Sequence, residues 1–79
     1  MKMREDEKKK LSLLLIYWIE HNRSHKQDFK RWAEKANTFD VLVYDELMDA
    51  VNHMEEVSVS LSNALERLNN TRREDEKNR

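Results

Sequence analysis

Apolar side chains recur at steps of three and four residues along the first half of the chain, which is the spacing of one face of an α-helix. The stripe consists of Leu11, Leu14, Leu15, Trp18, Asn22, His25, Phe29, Trp32, Ala33 and Ala36. It predicts helix one at about residues 8 to 36. The aromatic members Trp18, Phe29 and Trp32 are expected in the core, as is Met54 of the second half.

A second stripe predicts helix two at about residues 39 to 69. Its members are Val43, Leu47, Ala50, Met54, Val57, Leu61, Ala64, Leu65 and Leu68. Asn37 and Thr38 interrupt the pattern, so we place the turn there, with Thr38 as the N-cap and Asp40 in the first helical turn. Residues 39–44 have a strand-like composition, but a lone strand has nothing to pair with, so we expect helix there also.

The composition supports this interpretation and bounds the size of the protein. The chain has 79 residues and contains no Gly, Pro or Cys. The absence of Gly and Pro argues against the tight turns of β-hairpins, and the absence of Cys excludes disulfides and thiolate metal sites. A chain of this length forms one domain, residues 1–79. We therefore predict an all-α protein: an antiparallel two-helix hairpin.

Charge is balanced overall and segregated locally. Fifteen Lys and Arg face sixteen Asp and Glu, so no global field favours nucleic acid. Residues 23–35 contain five basic side chains, whereas residues 36–65 contain six acidic ones and no basic one. An antiparallel hairpin lays these segments side by side. The repeated segments Arg4–Lys8 and Arg73–Lys77 are expected to be frayed, charged helix ends.

The apolar run from Leu11 to Ile19 follows a basic start, as in a secretory signal, but Glu5, Asp6 and Glu7 interrupt the basic region and no cleavage site follows. The run is also far shorter than the ~20 apolar residues of a membrane-spanning helix. We expect no membrane association and a cytoplasmic location.

The same run is apolar on every side of its helix, so one neighbouring helix cannot cover it. Pairing of two hairpins into a four-helix bundle would roughly double the core. We predict a homo-oligomer, favouring a dimer, with a higher oligomer or a helical protein partner as alternatives. The function expected from this pattern is a non-enzymatic, self-associating interaction module. The residues that project off the stripe form the expected oligomer interface: Leu13, Ile16, Tyr17 and Ile19.

The three histidines form the candidate site. His21 and His25 stand four residues apart on one helical face, at a spacing that suits a shared metal ion. With a turn near Asn37, positions whose numbers total about 74 lie level, which places His53 beside His21 and Asp49 beside His25. A transition-metal site for zinc, iron, manganese or nickel is the alternative function, with a carboxylate ligand from helix two. The carboxylate candidates are Glu46, Asp49 and Glu56.

Two other interpretations stand beside the metal site. The histidines can be structural, with His25 and Asn22 as a hydrogen-bonded polar pair inside the stripe. A ferritin-like redox protein is the third, and it matches poorly, because the order His53-Met54-Glu55-Glu56 reverses the Glu-x-x-His motif. No catalytic residue is identified, since the serines at positions 58, 60 and 62 have no neighbouring base or oxyanion loop.

The segment from Tyr17 to His25, Tyr-Trp-Ile-Glu-His-Asn-Arg-Ser-His, resembles a segment His-Trp-x-x-His-Asn-x-x-x-His of a group of small prokaryotic helical proteins. The resemblance extends over about residues 11 to 68 and implies a helical fold. It points to His21, Asn22 and His25 as the residues to test. Tyr17 stands where the group has its first histidine, which weakens a three-histidine site on helix one. The function of the group is unknown, so no activity follows.

Overall fold

The computed structural model describes the backbone of residues 5–77 and the side chains of residues 5–71. It contains two helices, α1 (Glu5–Ala36) and α2 (Val41–Lys77), which pack against each other as a hairpin 61 Å long. No strand occurs within residues 5–77. The predicted all-α two-helix hairpin is therefore confirmed, and the strand-like segment is helical from Val41 onward.

The turn is built differently from the prediction. The Thr38 hydroxyl donates to the carbonyl of Lys35 at 2.7 Å and so closes α1 instead of capping α2. Asp40 is the N-cap, because its Oδ1 accepts from the N–H groups of Leu42 at 3.0 Å and Val43 at 3.4 Å. One carboxylate oxygen thus satisfies two of the donors that the start of a helix leaves unpaired. α2 begins two residues later than expected for this reason.

The helices meet along a seam whose members recur every seven residues. On α1 the seam consists of Lys8, Ser12, Leu15, Ile19, Asn22, Lys26, Phe29, Ala33 and Ala36, and on α2 of Tyr44, Leu47, Val51, Met54, Ser58, Leu61, Leu65 and Leu68. Every one of these side chains is buried or half-buried. A strict seven-residue repeat is the pattern of a left-handed antiparallel coiled coil.

The seam is rotated by about one residue from the predicted α1 stripe. Trp18 and Trp32 were expected in the core, and this is wrong: they are 39% and 55% exposed. Their neighbours Ile19 and Ala33 occupy the seam instead, and Ala33 is completely buried. The physical reason is that the seam includes Ser12 and Lys26, which a pattern of apolar residues does not count, so the predicted stripe combined seam residues with residues of the neighbouring apolar flank.

The helices are also longer than the patterns predicted. α1 starts at Glu5, and α2 continues beyond residue 69 to Lys77, because residues 69–77 contain no helix-breaking Gly or Pro even though they lack apolar members. The parts of the two charged end segments that are described are helical, and Arg4 lies outside the described residues. Neither helix contains, within residues 5–77, a stretch apolar and long enough to cross a bilayer.

The longer turn changes which residues of α1 and α2 lie at the same height along the hairpin. Since α1 ends at Ala36 and α2 begins at Val41, residues whose numbers total about 77 lie level, rather than the 74 expected from a shorter turn. The ion pair between Lys26 and Glu55, whose numbers total 81, joins the helices about four residues away from this level.

Candidate functional site

Four aromatic rings follow one another along one side of α1 at steps of four residues. The ring centroids are 5.5 Å apart from Tyr17 to His21, 4.4 Å from His21 to His25 and 6.0 Å from His25 to Phe29. A step of four residues advances slightly more than one helical turn, so the ladder winds from solvent, where Tyr17 is 60% exposed, to the seam at Phe29. The two histidines are held between the outer rings.

The histidine pair has a defined geometry. The Nε2 atoms of His21 and His25 lie 3.0 Å apart, and the rings cross at 84°. One ring donates and the other accepts a hydrogen bond, with the direction set by the tautomers. Two imidazole nitrogens that bind one metal at about 2.0–2.1 Å lie about 2.8–3.4 Å apart for bond angles between square and tetrahedral. The observed separation therefore suits either a hydrogen bond or a shared cation.

The structure does not bring His53 to this pair. His53 is exposed and precedes the seam residue Met54, so its side chain lies on the outer side of α2, across the hairpin from His21. The candidate carboxylates Glu46, Asp49 and Glu56 are exposed as well, and Asp49 lies level with Asp28 rather than with His25. Among the described residues no three His, Cys, Asp or Glu side chains form a group able to hold a metal ion. His53 lies near the height of the pair but apart from it, because His21 and His53 stand on the outer sides of their own helices.

Directly beside the seam, on the flank that contains His25, each helix has one row of uncharged side chains. On α1 these are Leu11, Trp18, His25 and Trp32, and on α2 Val43, Ala50, Val57 and Ala64, which we call the uncharged band. Each set repeats every seven residues, so the two rows lie side by side along the hairpin. Several members are substantially exposed: Trp32 by 55%, Val57 by 43%, Val43 by 41% and Trp18 by 39%. The Lys35 ammonium lies 4.2 Å from the centroid of the Trp32 ring.

The opposite flank of the hairpin is charged. A shallow depression there is lined by Ile19, Arg23, Lys26, Glu55 and Ser58. Lys26 of α1 and Glu55 of α2 form an ion pair across it. Partly exposed ion pairs of this kind stabilise by ~0–1 kcal/mol and mainly determine how the helices align. The hairpin therefore has two chemically different faces.

The predicted oligomer-interface residues occupy different environments. Leu13, Ile16 and Tyr17 are exposed by 69%, 49% and 60%, whereas Ile19 is half-buried in the seam of its own hairpin. Most of the uncharged band was missed as a surface because its residues were assigned to the core. The sequence signal that distinguishes band residues from core residues is their position: they recur every seven residues, one position before a seam residue.

The fold defines the class: a small all-α protein in which a two-helix hairpin has one uncharged band beside its seam. The chain belongs to the family described as Domain of unknown function (DUF8180), which matches residues 11–68. That range begins at the first residue of the uncharged band and ends at Leu68, the last residue of the α2 seam. No curated protein and no solved structure matches the chain significantly.

Proposed function

We propose that the protein is a non-enzymatic, self-associating helical module in which two hairpins pair through the uncharged band as a four-helix bundle. The supporting observation is the band itself, whose members are all uncharged and which exposes two Trp and two Val side chains between residues 11–32 of α1 and 43–64 of α2. Continuous exposed apolar surfaces of this kind mark sites of protein association.

The exposed area supports a second copy as the occupant. The hairpin exposes 6589 Å², whereas a compact monomer of its mass, 9.6 kDa, exposes about 5,100 Å². The excess is about 1,500 Å² per chain, and two copies that each cover it form an interface of about 3,000 Å², which is the size of obligate dimer interfaces. Pairing two elongated hairpins side by side covers part of the extra surface that their elongated shape exposes.

A two-fold axis parallel to the helices places α1 of one copy beside α2 of the other. All neighbouring helices are then antiparallel, as in most four-helix bundles.

Sedimentation equilibrium of the protein over a wide concentration range tests the proposal. We expect a dimer, and we expect Val57→Lys to raise its dissociation constant by about 100-fold or more, because an unpaired charge would be buried in the interface. Val59→Lys is the matched control: Val59 is a valine two residues away, 52% exposed against 43% for Val57, on the flank outside the band. A wild-type protein that sediments as a monomer at every concentration would refute the proposal.

A second candidate function is transition-metal binding by His21 and His25, which the 3.0 Å separation of their Nε2 atoms favours. The resemblance of residues 17–25 to the His-Trp-x-x-His-Asn-x-x-x-His segment is a separate reason to test this pair. Equilibrium dialysis against Zn²⁺ checks it. We expect the variant with both His21→Ala and His25→Ala to fold normally and to lose the metal. A variant that loses stability in the absence of any metal would instead assign the rings a structural role.

Leu13, Ile16 and Tyr17 lie outside the band and are exposed on other sides of α1. We propose that they contribute to contacts beyond the dimer, with a further copy or a helical protein partner. Substitution of Leu13 by Ser should leave the dimer intact and remove any larger species in sedimentation velocity.

A further inference from the structure

We propose that the dimer creates a metal site that neither copy contains alone, in which His21 and His25 of one copy and His53 of the other bind one divalent transition-metal ion. The inference rests on the proposed self-association through the uncharged band. It accounts for the observation that the hairpin holds two imidazoles at ligand distance while its third histidine stands apart from them, on the outer edge of α2.

The first argument is the level of the three side chains along the hairpin. Residues whose numbers total about 77 lie level, so His53 is level with Ser24, between His21 and His25. A two-fold axis parallel to the helices rotates one hairpin onto the other without shifting any residue along the bundle. The second copy therefore presents His53 at the height of the first copy's histidine pair, with no adjustable register.

The second argument is the side of the helix on which each histidine stands. His25 belongs to the uncharged band, and His21 and His53 each stand one position before a seam residue, Asn22 and Met54, at the outer edge of the band on their own helices. Within one hairpin these two edges point apart. When a second hairpin packs face to face about this axis, α1 lies opposite α2 of the other copy, and the edge with His21 adjoins the edge with His53.

A two-fold axis perpendicular to the helices is the alternative. It would place α1 opposite α1 and α2 opposite α2, so that the histidine pairs of the two copies met each other and His53, at the same height, met its own copy. That arrangement gives one four-imidazole site for each dimer, whereas the axis parallel to the helices joins the three different histidines and gives one site for each chain.

The chemistry of the donors indicates the kind of ion. Three neutral imidazoles with an open fourth position form a tetrahedral site for zinc-class cations. Symmetry produces two such sites in each dimer, one at each α1–α2 contact between copies, so the expected stoichiometry is one ion per chain.

The first experiment measures Zn²⁺ binding and mass together on the untagged full chain, by isothermal titration calorimetry and sedimentation equilibrium. We expect one Zn²⁺ per chain, tighter dimerisation with Zn²⁺, and at least a tenfold weaker Zn²⁺ affinity in His53→Ala. His53→Ala should still dimerise without metal, because His53 is exposed in the hairpin. The control is Asn52→Ala, an exposed neighbour on the other flank, which should bind Zn²⁺ as the wild type does.

The second experiment mixes two deficient variants, His53→Ala and the double variant His21→Ala/His25→Ala, and refolds them together. Neither variant alone has a complete site. A mixed dimer has one complete site, formed by the histidine pair of the first variant and His53 of the second, so the equal mixture should recover about one quarter of the wild-type Zn²⁺ capacity. A site within one chain recovers nothing on mixing.

The outcomes separate this inference from the proposed function. A dimer that binds no Zn²⁺, or whose Zn²⁺ binding is unchanged by His53→Ala, overturns the shared site and leaves self-association standing. One Zn²⁺ per two chains identifies the perpendicular axis and also overturns it. A monomer at every concentration, with or without Zn²⁺, overturns both proposals.

Discussion

Replacing Trp18 by Ala removes the largest side chain near the middle of the uncharged band. Trp18 is 39% exposed in the hairpin, and a Trp side chain has up to about 250 Å² of surface, so about 100 Å² per chain is left for a partner to cover. A symmetric dimer covers it twice, about 200 Å² in all. At ~25 cal/mol per Å² this contributes about 5 kcal/mol if the covering is complete, and about 2.5 kcal/mol if half is covered.

The dissociation constant of the dimer should therefore rise by between about 70-fold and about 5,000-fold in Trp18→Ala. Sedimentation equilibrium measures this constant directly, and circular dichroism at the same concentrations shows whether the hairpin is still helical. Ala is the best helix former, so the substitution itself does not oppose α1.

Leu13→Ala is the control for apolar surface in general, because Leu13 is more exposed than Trp18, at 69%, but lies outside the band. It should change the dissociation constant less than tenfold. If Leu13→Ala weakens the dimer as much as Trp18→Ala does, or if Trp18→Ala leaves it unchanged, the band is not the interface and the reasoning from its continuity is wrong.

Three further predictions concern the hairpin itself. Asp40→Ala should lower the free energy of unfolding by about 1 kcal/mol, and by more than Thr38→Ala, because the carboxylate caps α2 and the hydroxyl does not; thermal unfolding checks the order of the two. Ala33→Leu should cost about 1–3 kcal/mol in chemical denaturation, since Ala33 is completely buried and a larger side chain would push the helices apart. Asn22→Leu should raise the melting temperature while broadening the distribution of oligomers in native mass spectrometry, because a polar residue in a coiled-coil seam specifies alignment at a cost in stability; an unchanged distribution would contradict this role.

The fold could be predicted from the chain because it follows from local physics. Without Gly or Pro, and with apolar residues at helical spacing on both sides of Asn37, the sequence permits little other than two helices and a turn. The segregation of basic residues before the turn and acidic residues after it also indicated correctly that the helices fold back on each other.

The candidate site could be predicted only where it depends on one helix. The pairing of His21 and His25 follows from their four-residue spacing, and the structure places their Nε2 atoms within hydrogen-bond distance. The position of His53 depends on the length of the turn and on the rotation of α2, and both were misjudged. Asp40 rather than Thr38 caps α2, which changes the register by a few residues, and such a change is invisible in a pattern of apolar positions.

The chain thus determines helicity, the approximate location of the turn and the histidine pair, because each of these is set by neighbours within about one helical turn. The packing of α1 on α2 decides which side chains are core and which are surface. Ser12 and Ala33 are buried and two tryptophans are not, because only the close contact of two particular helices selects a seven-residue seam from a wider apolar stripe. The uncharged band exists as a surface for the same reason.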